Sequence, residues 1–196
     1  MRAQNIFRIT FQLTQLERYY RGIISQKQIY HYGYYECSMK APKSTGWHSA
    51  FWTTQDFINS AESSTTMNEI DILESDSNGQ VNGSTHHIAL HQWTPRHITP
   101  NAYQSSYTKD CEGTVMPNFS LGFNTFGALV DEEKVTYYFN RKRIAELYYQ
   151  GLFPNYTVNP AEILMTCLAH RDNISLDGLP QDTCEFEYVR YYKKVN

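Results

Sequence analysis

No stretch of this 196-residue chain is apolar for long enough to cross a bilayer as a helix, which takes about 20 consecutive apolar residues. No membrane partner is expected; the N-terminus also lacks the basic, hydrophobic and small-residue regions of a signal peptide, as it would if a leader had been removed or the sequence began inside a larger protein. Charge is scarce: Asp, Glu, Lys and Arg make up 19% of residues and the net charge is −3. Without a basic stripe there is no electrostatic footprint for a nucleic acid partner. Only 4 cysteines occur, Cys37, Cys111, Cys167 and Cys184, and none forms a C-x-x-C pair, which argues against a zinc ribbon. They allow one or two disulfides, but three of them fall in segments with strand character, where a lone Cys is a small buried hydrophobe; mostly free thiols are expected.

Helical periodicity is almost absent too. Only Arg141 to Tyr149 reads as helix, with a hairpin arm as the alternative. Elsewhere apolar and polar residues alternate with period two. Strands are predicted for Ile23 to Met39 (two, broken near Tyr32-Gly33), Trp47 to Trp52, Asn68 to Glu74, His86 to Trp93, Gly122 to Val130, Val135 to Phe139, Ile163 to His170 and Glu185 to Tyr192. A Ser/Thr-rich loop should run up to Met67, a turn should lie at Asp76-Ser-Asn-Gly79, and Thr94 to Asn118, with Pro95, Pro100 and Pro117, should be an irregular surface excursion. Many short strands without an internal repeat predict one all-β domain over residues 1–196, a sandwich or jelly roll of two antiparallel sheets.

What is present in abundance, locally, is acid. Asn68-Glu-Ile-Asp-Ile-Leu-Glu74 sets three carboxylates among branched apolar residues. Ile70, Ile72 and Leu73 belong in a core, so the acids must leave from the other face. Glu69 and Asp71 are two apart and share a face in a regular strand. Glu74 joins them only if one extra residue is absorbed in a β-bulge at Ile72-Leu73. The two glutamate Cα atoms would then be roughly 13 Å apart. Long side chains leaning inward could bring the carboxyl groups to the roughly 5–5.5 Å that a retaining glycosidase requires. A solvated acidic edge strand is the alternative, but such edges usually carry lysine or mixed charge.

Glu69-Ile-Asp-Ile-Leu-Glu74 resembles the bulged active-site strand of family-16 glycoside hydrolases, a group that includes laminarinases, lichenases, agarases and carrageenases. Further likeness lies in Gly22-Ile-Ile-Ser-Gln-Lys, Tyr32-Gly-Tyr-Tyr-Glu36, Met39-Lys-Ala-Pro42, Gly46-Trp-His-Ser-Ala-Phe-Trp52, Lys134-Val-Thr-Tyr-Tyr-Phe-Asn140 and Glu187-Tyr-Val-Arg-Tyr-Tyr192. Three departures stand out. The family's first cleft Trp aligns with His48, its Asp-Gly hairpin turn is Asn140-Arg141, and its domain usually begins upstream of Met1, which leaves room for missing N-terminal strands. The resemblance implies a concanavalin-like jelly roll and an endo-acting retaining hydrolase of a β-glucan or galactan, with Glu69 as nucleophile, Asp71 holding it and Glu74 as acid/base. It also implies an extracellular or periplasmic site of action, a monomer, and no cofactor beyond a structural calcium ion that the fold would allow.

A sugar ring needs flat apolar faces with polar rims. Trp52 and His48 share one face of their strand, and His87, Ala89, His91 and Trp93 share one face of the next, so Trp52, His48, His87, His91 and Trp93 are the expected substrate contacts. Trp47 is as suited to core as to cleft, whereas Tyr137, Tyr188 and Tyr191 suit packing. A zinc site of His86, His87 and His91 is a rival, but adjacent histidines point to opposite faces, so no metal ligand is assigned. A lectin on the same fold would not need the Glu-x-Asp-x-x-Glu set, and a transglycosylase would use the same acids.

Overall fold

The computed structural model describes residues 3–5, 9–13, 21–55, 67–77, 84–93, 101–110, 112–153, 158–169 and 182–194. These form thirteen strands and no α-helix: β1 Ala3–Asn5, β2 Ile9–Leu13, β3 Arg21–Tyr30, β4 Gly33–Lys40, β5 Trp47–Thr54, β6 Met67–Ser77, β7 His86–Trp93, β8 Asn101–Tyr107, β9 Asn124–Val130, β10 Lys134–Phe139, β11 Lys142–Tyr148, β12 Ala161–Ala169 and β13 Asp182–Lys193. All pairings are antiparallel. One sheet runs β1-β13-β4-β9-β10-β11, with β2 also on β13; the other runs β3-β12-β5-β6-β7-β8. This is the expected two-sheet jelly roll.

The two sheets close on a core supplied by alternate residues. Trp47 and Phe51 of β5, Ile70, Ile72 and Leu73 of β6, Ile88 and Leu90 of β7 and Met165 of β12 meet Cys37 and Met39 of β4, Phe126 of β9, Tyr137 and Phe139 of β10 and Phe186 of β13. Such burial of branched and aromatic side chains is the main driving force for the fold. Trp47 is thus a core residue, as are Tyr137 and Tyr191. Tyr188 lies half-buried on the outer face, its hydroxyl donating to Glu36. The Tyr137 hydroxyl also donates to the carbonyl of Ala89 at 3.3 Å, a polar tie from one sheet to the strand beside the acids. Cys37, Cys167 and Cys184 are free, buried thiols; Cys111 lies outside the described residues.

Two expectations need correction. The stretch Thr94 to Asn118 is not irregular throughout, because Asn101–Tyr107 forms β8 at the edge of the second sheet. Its backbone pairs with β7 although its sequence, Asn-Ala-Tyr-Gln-Ser-Ser-Tyr, shows little apolar alternation, as an edge strand permits. Arg141 to Tyr149 is the hairpin arm rather than a helix: β11 pairs with β10, and Asn140 and Arg141 make the turn with φ of 45° and 64°. The predicted loop residues 56–66, Asn78-Gly79 and Thr94 to Pro100 lie outside the described residues.

Candidate active site

β6 is flanked by β5 and β7, and both carry site residues. Opposite β7 the register runs Asp71↔Ala89 and then Glu74↔His87, three residues on one strand against two on the other. Opposite β5 it runs Trp52↔Asp71 and then Phe51↔Leu73, so Ile72 is skipped there as well. This is the expected bulge. Ile72 and Leu73 are both fully buried, a pair of neighbours that regular alternation could not place inside together. Glu69, Asp71 and Glu74 therefore emerge on the outer face. Ala50 opposite Glu74 and Ala89 opposite Asp71 keep that face low where the carboxylates need room.

Histidine completes the bulge from below. His86 points into the core against Phe126 and Phe139, and its Nε2–H donates to the Ile72 carbonyl at 2.7 Å. Burial lowers its pKa to about 4, so the ring is neutral at pH 7. This residue was considered only as a zinc ligand on sequence grounds. The structure separates the three histidines of that rival: His86 in the core, His87 on Ser106 of β8, and His91 on the acids.

The acids differ in exposure and in partners. The Asp71 side chain is 5% exposed, Glu69 17% and Glu74 27%, so Glu74 is the one most open to an incoming ligand and to water. The indole N–H of Trp93 donates to Glu69 Oε2 at 3.1 Å. His91 Nε2 lies 3.1 Å from Asp71 Oδ2 and 3.9 Å from Glu69 Oε1, and the His91 ring stacks on Trp93 at 5.2 Å. Burial, then the charge of Asp71, pushes the Glu69 pKa up to about 8, against the opposing pull of His91 and Trp93. Asp71 is also held well above the usual carboxylate range, by burial and then by the charge of Glu74. Two close carboxyls in a dry site cannot both ionise cheaply, so the pair retains a proton near neutral pH. The groups that favour the ionised form of Glu69 are His91 and the indole of Trp93.

His48 lies on β5, paired with Asp76. Its Nδ1 is 2.8 Å from Asp76 Oδ1 and its Nε2 3.2 Å from Glu74 Oε1. Burial alone would favour the neutral ring, but the two carboxylates outweigh it and raise the pKa to about 10. The imidazolium donates at both nitrogens. Asp76 was not foreseen as a site residue. It follows Glu74 by two positions and so shares its face, a signal that alternation alone contained. Trp52 is half-buried next to Asp71 across the β5–β6 pairing. All five sequence-predicted contacts, Trp52, His48, His87, His91 and Trp93, thus flank the three acids.

Among the described residues, one group has metal-ligand spacing: Glu69, Asp71 and His91, with ligand atoms within 4.8 Å of one another. Its members already face one another, with His91 on Asp71 at 3.1 Å and Trp93 donating to Glu69 at 3.1 Å.

Residues 3–188 match the family model described as Glycosyl hydrolases family 16. The chain is 26% identical over 178 residues to a beta-glucanase of Acetivibrio thermocellus, covering 89% of this chain and 46% of that protein, so it spans about half the length of the curated relative it matches. In fold it is similar to the catalytic domain of an endo-1,3-beta-glucanase (laminarinase) from Thermotoga petrophila RKU-1, with a TM-score of 0.67, 21% identity and coverage of 90% of this chain and 69% of that one. The kappa-carrageenase of Pseudoalteromonas carrageenovora, in complex with an oligotetrasaccharide of kappa-carrageenan, gives 0.63, 20%, 89% and 68%. The Bacillus licheniformis beta-glucanase gives 0.63, 16%, 95% and 79%. With the bulged acid strand at the centre of a two-sheet jelly roll and the match running nearly end to end, the chain belongs to glycosyl hydrolases family 16.

Proposed function

We propose that this protein is a retaining, endo-acting glycoside hydrolase that cleaves internal β-glycosidic bonds of a polysaccharide. The observation that carries the reading is the β-bulge at Ile72-Leu73, which turns Glu69, Asp71 and Glu74 to one face. Glu69, held by the Trp93 indole N–H, attacks the anomeric carbon as its bond to the glycosidic oxygen breaks. Glu74 gives its proton to that oxygen. The ester between the sugar and Glu69 is then displaced by water, whose proton returns to Glu74. Asp71, too enclosed to touch the sugar, is a positioning residue: it holds His91 at 3.1 Å, beside Glu69.

Trp52, His48, His87, His91 and Trp93 would line the sugar subsites. The basic side chains paired with the acids are His48 and His91, which suits a neutral β-glucan or galactan better than a sulfated one. The protein would meet such a polymer outside the cytoplasm, as a monomer. Among the described residues no helix is long and apolar enough to cross a membrane.

A screen on laminarin, lichenan, agarose, carrageenan and xyloglucan identifies the polymer. On the polymer that is cleaved, Glu69→Gln should abolish turnover while leaving folding and glycan binding nearly intact. Turnover close to wild type in Glu69→Gln would remove this reading, and binding without any cleavage by the unaltered protein would favour a lectin.

A further inference from the structure

We propose that His48 is a positioning residue for the acid/base glutamate: tied to Asp76 through Nδ1, it anchors Glu74 by Oε1 and leaves Oε2 as the oxygen that exchanges the proton with the sugar. This inference rests on the reading of Glu74 as acid/base and concerns how that side chain is aimed.

Glu74 is the most exposed of the three acids, and a glutamate in a cleft has three side-chain torsions to lose before it points at one atom. The chain supplies the restraint from the neighbouring strand. His48 pairs with Asp76 while Glu74 pairs with Ala50, so the imidazole reaches diagonally over the space left by the Ala50 methyl. Its contacts, 2.8 Å to Asp76 and 3.2 Å to Glu74, leave it no free ring nitrogen. The titratable groups around it are Asp71, Glu74 and Asp76 on β6 and Cys167 on β12, with His87 of β7 opposite Glu74.

The proton accounting stays simple. In the first half-reaction the proton leaves Glu74 Oε2 for the glycosidic oxygen as the bond to the anomeric carbon breaks and Glu69 forms the ester. In the second, water gives its proton to Oε2 as its oxygen displaces Glu69. Asp76 holds the His48 Nδ1–H at 2.8 Å, and His48 gives up no proton to the sugar in either step. Its positive charge stands beside Oε1 before the reaction starts, so the carboxylate that develops when the proton departs is met by a donor already in place.

The test separates aim from folding and from sugar contact. It compares kcat/KM for an oligosaccharide, whose leaving group needs a proton, with that for a 2,4-dinitrophenyl glycoside of the same sugar, whose leaving group does not. His48→Phe should lower the first by about 10- to 100-fold and the second by less than about three-fold. Asp76→Asn should do the same more weakly. In a Glu74→Ala background, His48→Phe should change the ratio of the two rates by no more than about two-fold, because the group it aims is gone. If His48→Phe does not fold, His48→Gln, which restores one donor, takes its place with the same expectation at reduced size. Equal losses on both substrates, or no loss on the oligosaccharide, would overturn the proposal. Neither outcome touches the assignment of the acids, which is tested separately by Glu69→Gln for the nucleophile and by the oligosaccharide-against-aryl-glycoside contrast of Glu74→Ala alone for the acid/base.

Discussion

His86 and Ile72 form a hydrogen bond of 2.7 Å from imidazole to main-chain carbonyl, inside the core and directly beneath the bulge that carries the acids. A bulge leaves one residue out of the ladder, and a buried carbonyl without a donor costs about 1–3 kcal/mol. His86→Phe should therefore lower stability by about that amount, seen as a lower urea midpoint with an unchanged slope. It should also reduce turnover, since the register of Glu74 relative to Asp71 depends on the bulge. A midpoint equal to that of the unaltered protein would mean that the bulge holds without the imidazole.

The same ring sets an acid limit. Its pKa is lowered from 6.5 to about 4 because the buried site disfavours the charged form. A depressed value means that its contribution is fully present above pH 6.5 and is lost as pH falls through 4. Denaturation midpoints of the unaltered protein should fall between pH 6.5 and 4 more steeply than those of His86→Phe, which has no proton to take up.

Glu69 acts in the opposite direction. Its pKa is raised from 4.5 to about 8, so the stability linked to its neutral form is present below pH 4.5 and lost as pH climbs through 8. Asp71→Asn removes the nearest repelling carboxyl. The variant should lose less stability than the unaltered protein between pH 6 and pH 9, while its kcat falls because the carboxylate that holds His91 beside Glu69 is gone. Thermal midpoints measured across that range, with kcat at each pH, check both halves.

The acid cluster was legible because its apolar neighbours left one solution: with Ile70, Ile72 and Leu73 inside, a bulge was the only way to bring Glu74 to the face of Glu69. The core strands were legible for the same reason, since burial on one face imposes period two. β8 was hidden because an edge strand is held by main-chain pairing, which Asn101 to Tyr107 do not advertise in their side chains. β11 carries Lys142, Arg143, Ala145, Glu146 and Leu147, all good helix formers, yet pairing with β10 overrides that local preference. The Asp76–His48–Glu74 chain depends on which residues of β5 and β6 lie opposite each other, and a single sequence does not state that register.

Trp93 offers a test of the nucleophile's surroundings. Its ring stacks on His91 and its N–H reaches Glu69 Oε2 at 3.1 Å. Trp93→Phe keeps a flat ring but removes the donor, so Glu69 loses a hydrogen bond that favours its ionised form. A bond to a charged group is worth about 1.5–3 kcal/mol, which predicts a fall in kcat of roughly 10-fold with a smaller change in KM. A change confined to KM would assign Trp93 to sugar contact alone.

The Asn140-Arg141 turn is the place where this chain departs most visibly from a glycine-bearing hairpin. Arg141 holds φ at 64°, a left-handed conformation that costs an ordinary residue about 1–2 kcal/mol and glycine almost nothing. What keeps an arginine there is Glu36, a carboxylate 2% exposed on β4, one strand beyond β9, which accepts from Arg141 Nε at 3.3 Å and Nη2 at 3.4 Å as well as from the Tyr34 and Tyr188 hydroxyls. Arg141→Gly would relieve the backbone strain but leave a buried negative charge with two neutral donors. Losing the charged partner of a buried carboxylate costs about 3–5 kcal/mol, reduced here because the arginine side chain is itself 65% exposed. The variant should be less stable by about 1 kcal/mol, and the double variant Arg141→Gly with Glu36→Gln should recover most of that loss because the unpaired charge is gone. Urea denaturation of the three proteins decides the matter: a more stable Arg141→Gly would mean that turn strain outweighs the ion pair.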